Sequence, residues 1–93
     1  MFDLTGKIAL VTGASGGIGG AIARALHAQG ATVVLSGTRA EALEALKTEL
    51  GARAFTTTCN LSDPASVEAL PKAAEEAAGG SIDILVNNAG ITR

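Results

Sequence analysis

Ninety-three residues can hold one small domain, and 7 basic against 9 acidic side chains leave no cationic surface of the kind that neutralises nucleic-acid phosphates. No apolar run is long enough to span a bilayer, and no basic, apolar leader opens the chain. A single Cys excludes an internal disulfide and suits a reducing compartment, so a cytoplasmic protein is expected. The apolar fraction is 47% with Phe2 and Phe55 the only aromatics, which implies a core of Ala, Val, Ile and Leu and apolar faces that expect more protein against them.

Lys7 to Thr12 reads as a short apolar strand, followed by the Gly-rich turn Thr12-Gly13-Ala14-Ser15-Gly16-Gly17-Ile18-Gly19. Ile18, Ile22 and Leu26, with Ala21 and Ala25, recur at helical spacing as the expected buried stripe, and Gly30 ends it. Thr32 to Ser36 is a β-branched, buried strand. Leu43, Leu46 and Leu50 mark a second helix that stops at Gly51, and Arg53 to Thr58 a third strand. Asp63-Pro64 has the form of a helix start, a carboxylate cap followed by Pro at the first helical position. Val67, Leu70 and Ala74 continue one face until Gly79-Gly80. Pro71 interrupts this pattern, so the third helix either bends there or begins as a separate turn. Ile82 to Val86 is the fourth strand.

The alternation β-α-β-α-β-α-β predicts an α/β fold of Rossmann-like, three-layer form. Its parallel four-stranded sheet has the expected order 3-2-1-4, half of a doubly wound domain, with residues 1–93 forming one dinucleotide-binding part. Continuous apolar strands fit a sheet covered on both faces. The ligand crevice is expected between strands 1 and 4, where the winding reverses.

The Gly-rich turn stands between a strand and a helix, the context a phosphate cradle needs. Gly13 permits a tight exit from the strand, Gly17 lets backbone approach a pyrophosphate, and Gly19 lets the helix pack close to the sheet. The helix N-terminus supplies free N–H groups and partial positive charge. A Gly-rich loop without ligand is the bland alternative. Asn87-Asn88-Ala89-Gly90, beyond the last strand, can tie that strand to its neighbour and present backbone to a ribose, or be a plain polar turn.

These two motifs resemble the cofactor motifs of the short-chain dehydrogenases/reductases. The wider runs Gly6 to Ser15 and Val86 to Arg93 are most similar to the bacterial 3-oxoacyl-[acyl-carrier-protein] reductase branch of that family. The resemblance runs end to end but covers only the N-terminal part of the family's domain. It implies cofactor contacts at Gly13, Ser15, Gly16, Gly17, Ile18, Gly19, Thr38, Arg39, Asn60, Leu61, Asn87, Ala89 and Gly90, with Asn88 as a brace and Asn60-Leu61 holding adenine. NAD-preferring relatives carry an acid at the end of strand 2. This chain has Ser36-Gly37-Thr38-Arg39 and no acid until Glu41, so hydroxyl donors and a guanidinium fork favour NADP(H). Arg39 as a solvated residue opening the second helix is the alternative, and Gly16 stands where many NADP-using relatives place Arg.

The family reduces a carbonyl by hydride transfer, and its full-length acyl-carrier branch takes 3-oxoacyl thioesters of fatty-acid synthesis. Its Ser, Tyr and Lys lie beyond Arg93, and the chain has no Tyr, so this polypeptide alone is expected to be inactive, with no catalytic residue of its own. An exposed edge at strand 4 predicts self-association. The rival reading is a half-Rossmann module that binds nucleotide or self-associates without turnover, and a related dehydrogenase of other substrate is a third. His27 and the Glu residues of the helices read as solvated, with Lys47 and Lys72 pairing locally. Cys59 has no His near it, and no residue cluster has metal-ligand spacing.

Overall fold

Ile8, Ala9, Leu10, Val11 and Thr12 alternate between two faces that are both apolar, and that is why this run sits inside a sheet. In the computed structural model, which describes residues 3–58 and 64–87, it forms β1 (Ile8–Thr12). The remaining elements are α1 (Gly17–Ala28), β2 (Thr32–Gly37), α2 (Ala40–Leu50), β3 (Ala54–Thr58), α3 (Pro64–Ala78) and β4 (Ile84–Asn87). All pairings are parallel and the order is β3-β2-β1-β4, as the alternation of strands and helices predicts.

The pleat sorts the core into two halves. Ala9, Val11, Val33 and Leu35 face α1 and α2 and pack with Ala23, Leu43 and Leu46. Leu10 and Val34 face the other way, onto Leu70 and Ala74 of α3. In β4, Ile84 and Val86 join the first half, whereas Leu85, paired with Leu10, points to the second and remains exposed.

The expected stripe on α1 is off by part of a turn. Its buried residues are Gly19, Gly20 and Ala23, while Ile22 and Leu26 are half-buried and Ile18 is 72% exposed. The cause is steric. A Cβ on Gly19 would lie 2.2 Å from the Gly13 carbonyl oxygen, so α1 crosses the end of β1 too closely for a branched side chain. The smallest residues therefore face the sheet, and Ile18 is turned out beside the Gly-rich turn.

Other boundaries differ by small, explicable amounts. β3 starts at Ala54 because Arg53 has a φ of 67°, a left-handed conformation. The Arg53 guanidinium donates from Nη1 to the Ala31 carbonyl at 2.7 Å and the His27 carbonyl at 3.4 Å, where a cation suits the end of α1. His27 is half-buried rather than solvated. Its Nε2 lies 2.7 Å from the Ala52 carbonyl, which only accepts, so Nε2 carries the proton. β4 begins at Ile84, two residues later than the apolar run, because Asp83 closes the entry: its backbone N–H donates to Ile8 O, and its Oδ2 accepts from Ile8 N.

α2 stops at Gly51, whose N–H still donates to the Lys47 carbonyl and whose φ of 78° then turns the chain out of the helix. α3 is one continuous helix through Pro71, which lies on its exposed side, so no separate first turn exists. The expected Asp63 cap, like Cys59, lies outside the described residues. Among the described residues no helix is long and apolar enough to cross a membrane.

Candidate functional site

The C-terminal ends of β1, β2 and β4 reach the same edge of the sheet, and each leads into residues singled out by sequence. β1 leads into the Gly-rich turn. Gly13, at φ 67°, lets the chain leave the strand at once. The Gly16 N–H returns to the Gly13 carbonyl at 3.1 Å, and the Ala14 N–H is pinned to Ser36 O of β2 at 2.9 Å. Gly37, ending β2, lies against the turn so closely that a Cβ there would come 2.7 Å from Ser15 Oγ and the hydroxyl would have to move. The turn is therefore held from both sides before anything binds to it.

The glycines of the turn divide by what surrounds them. Gly19 is demanded by the protein's own packing. Around Gly17 an added Cβ would meet nothing within 4 Å, and at Gly16 only the Gly13 carbonyl oxygen at 3.5 Å. Both are exposed. Gly16 caps α1 without a side-chain bond, and the first turn holds no acid. The N–H groups of Gly17, Ile18 and Gly19 have no acceptor among the described residues. The helix thus presents unpaired donors and its positive dipole end to open space, an arrangement that suits an oxyanion.

The second motif is joined to the first through Thr12, which lies opposite Asn87 in the β1–β4 register. Thr12 Oγ1 donates to the Val86 carbonyl at 3.1 Å, with Asn87 Oδ1 at 3.4 Å as the longer partner. Asn87 thereby shares in bracing the two strands, as the sequence reading allows for the two adjacent amides, although the family resemblance gives the brace to Asn88. Asn60, Leu61, Asn88, Ala89 and Gly90 lie outside the described residues.

At the end of β2 the expected phosphate-binding group is only partly present. Ser36 is 1% exposed within the sheet, so its hydroxyl is closed to a ligand; side chains that alternate along a strand cannot all reach its end. Thr38 and Arg39 are exposed just beyond, and Arg39 opens α2 without an ion pair among the described residues.

Sequence reasoning did not foresee the cleft beside the turn. About 300 Å³ in volume, it runs between α1 and α2 and is lined by Ala14 to Gly17, Gly20, Arg24, Ala42, Ala45, Leu46 and Glu49. Arg24 Nε and Nη2 meet the two Glu49 carboxylate oxygens at 2.6 and 3.1 Å, a two-pronged pair. The hydrogen bond from Arg24 holds the Glu49 carboxyl below its ordinary range, and the same bond raises the Arg24 guanidinium. Lys47 and Lys72 were the expected local partners of the helix acids. The observed pair instead links two helices that sequence spacing does not relate.

The model of the short chain dehydrogenase family matches residues 7–93. The chain belongs to that family. It is 62% identical over its whole length to nodulation protein G of Rhizobium sp. (strain N33). Over 98% of its length it is 51% identical to the 3-oxoacyl-[acyl-carrier-protein] reductase FabG of Escherichia coli (strain K12). It spans 38% and 37% of those two proteins. Among solved structures, a hydroxysteroid dehydrogenase from Escherichia coli superposes with a TM-score of 0.84 at 38% identity, over 91% of this chain and 36% of the other. The family binds nicotinamide dinucleotides.

Proposed function

We propose that this chain is the NADP(H)-binding N-terminal part of a reductase acting on 3-oxoacyl thioesters carried by an acyl-carrier protein, in the cytoplasm. One observation supports the cofactor reading above the others: Gly16 and Gly17 are side-chain-free where the packing of the described residues does not require it, beside helix N–H groups that have no acceptor among those residues. A diphosphate uses both. Ile18, turned out of the core, offers an apolar surface beside it. Asn87 stands at the β1–β4 end of the crevice, where the ribose next to the nicotinamide would rest, with Ala89 and Gly90 following it in sequence. Asn60 and Leu61 are assigned to the adenine. The bound cofactor supplies the hydride, and this chain's residues bind and orient it.

Exposed Thr38 and Arg39, with no acid before Glu41, support NADP(H) over NAD(H). The thioester substrate rests on the likeness to FabG, and the exposed Leu85 supports self-association or further protein against that face. A second reading follows from the higher identity to nodulation protein G: a short-chain dehydrogenase of the same cofactor with a different substrate. Calorimetry of the purified chain with NADPH and NADH tests the cofactor. The expected result is tighter binding of NADPH, with the difference lost in Arg39→Ala. Equal affinity for both would remove the NADP(H) assignment, and no binding of either would remove the dinucleotide reading.

A further inference from the structure

β4 is apolar at every position before Asn87. Ile84 and Val86 face the first half of the core, while Leu85 is exposed. Ile82 shares their parity, two residues before Ile84. The apolar pattern therefore fits β1 in two ways. In the observed register Ala9 and Val11 lie opposite Ile84 and Val86. With β4 advanced by two residues they would lie opposite Ile82 and Ile84, and the same faces would be apolar. A slip of one residue is rejected by face, and a slip of two is not. The difference is felt at the far end of the strand, because the two-residue slip carries Asn87 about 7 Å past Thr12.

The group that selects the observed register stands at the entry to β4. Asp83 grips Ile8 by both backbone groups. Its N–H donates to Ile8 O at 2.8 Å, and the Ile8 N–H donates to its Oδ2 at 2.9 Å. The carboxylate takes the N–H that a strand carbonyl would take if the parallel ladder ran on, and so closes the ladder at this point. In the slipped register Asp83 would stand opposite Leu10, inside the ladder, with its hold on Ile8 lost. Thr12, at the other end, discriminates less. Its hydroxyl makes its shorter bond, 3.1 Å, to a backbone carbonyl, which either register offers, and its 3.4 Å contact with Asn87 is the longer one. Resting on the dinucleotide reading above, we infer that Asp83 is a positioning residue for the cofactor. By fixing β4 on β1 at one edge of the sheet, it sets Asn87 at the ribose next to the nicotinamide, about 13 Å away at the other. It acts through Asn87 and touches no ligand.

The test is calorimetry of the wild-type chain, Asp83→Ala, Asp83→Asn and the double variant Asp83→Ala with Ile82→Ser. The probes are NADPH, which reaches Asn87, and adenosine 2′,5′-bisphosphate, which does not. Asp83→Ala is expected to weaken NADPH about fivefold, as part of the population takes the slipped register, and to leave the bisphosphate unchanged. Asp83→Asn keeps an acceptor for Ile8 N–H and should bind NADPH as the wild type does. Ile82→Ser removes the side chain that the slipped register would bury, so the double variant should recover NADPH affinity, a rescue that a merely structural role does not predict. NMR should show cross-strand contacts from Leu10 to Leu85 in the wild type, and a second set from Leu10 to residue 83 in Asp83→Ala. Equal weakening of both probes in Asp83→Ala, or no weakening of either, would overturn this inference alone. Failure of the wild type to bind NADPH would overturn the cofactor reading, and this inference with it.

Discussion

On the face of the sheet turned to α1 and α2, Ala9, Val11, Val33 and Leu35 are sealed under Ala23, Leu43 and Leu46. On the opposite face Leu10 and Val34 pack under Leu70 and Ala74 of α3, the one helix the described residues place there, and Leu85 is 63% exposed. The same strands supply both faces, so strand composition does not account for the difference. Among the described residues, the number of helices over each face does. The candidate site is built on the sealed face, where the Gly-rich turn and the cleft draw rigidity from two helices.

Truncation on each side breaks or confirms this contrast. Leu35→Ala, at a fully buried position, should cost about 3 kcal/mol of unfolding free energy, read from urea denaturation. Leu85→Ala should change stability by about 0.5 kcal/mol or less. Equal losses would mean that Leu85 is covered in solution.

The next largest effect separates two glycines of one turn. Gly19→Ala forces a methyl against the Gly13 carbonyl and should destabilise by about 2 kcal/mol. Gly17→Ala has open space and a better helix former, so its melting temperature should hold or rise while NADPH affinity falls. If both behave alike, the division between packing glycine and ligand glycine fails.

Thr12→Val removes the hydroxyl that joins β1 to β4 and should cost about 1 kcal/mol, with faster amide exchange at Val86 and Asn87. The smallest effect is electrostatic. Glu49 has its folded-state pKa lowered from 4.5 by Arg24, so the pair's contribution is present above that value and is lost as pH falls through the depressed one. An NMR titration should show Glu49 returning toward its ordinary pKa in Arg24→Gln.

Much of this architecture was legible because apolar runs alternate with helical spacing and glycines punctuate both. Strand order and helix ends followed from those signals alone. The face of α1 was not legible, because hydrophobicity points to Ile18 while contact distance selects Gly19 and Ala23. Ser36 read as a ligand donor because strand ends look alike in sequence, and only the pleat shows its hydroxyl to be buried. The Arg24–Glu49 pair spans two helices at a separation that no local rule connects. His27 and Arg53 likewise act across a turn, through carbonyls that have no signature in composition.

Thr12 and Asn87 stand in one row of the sheet although 75 positions separate them along the chain. Of the three strand pairings, β1 with β4 has the longest loop to close, and so the largest entropic debt to settle before its contacts form. The crevice acquires its second wall only when that seam zips. A ligand that bridges both walls therefore selects molecules that have completed their assembly. Its binding free energy is added, by mass action, to the seam that joins the ends of the chain.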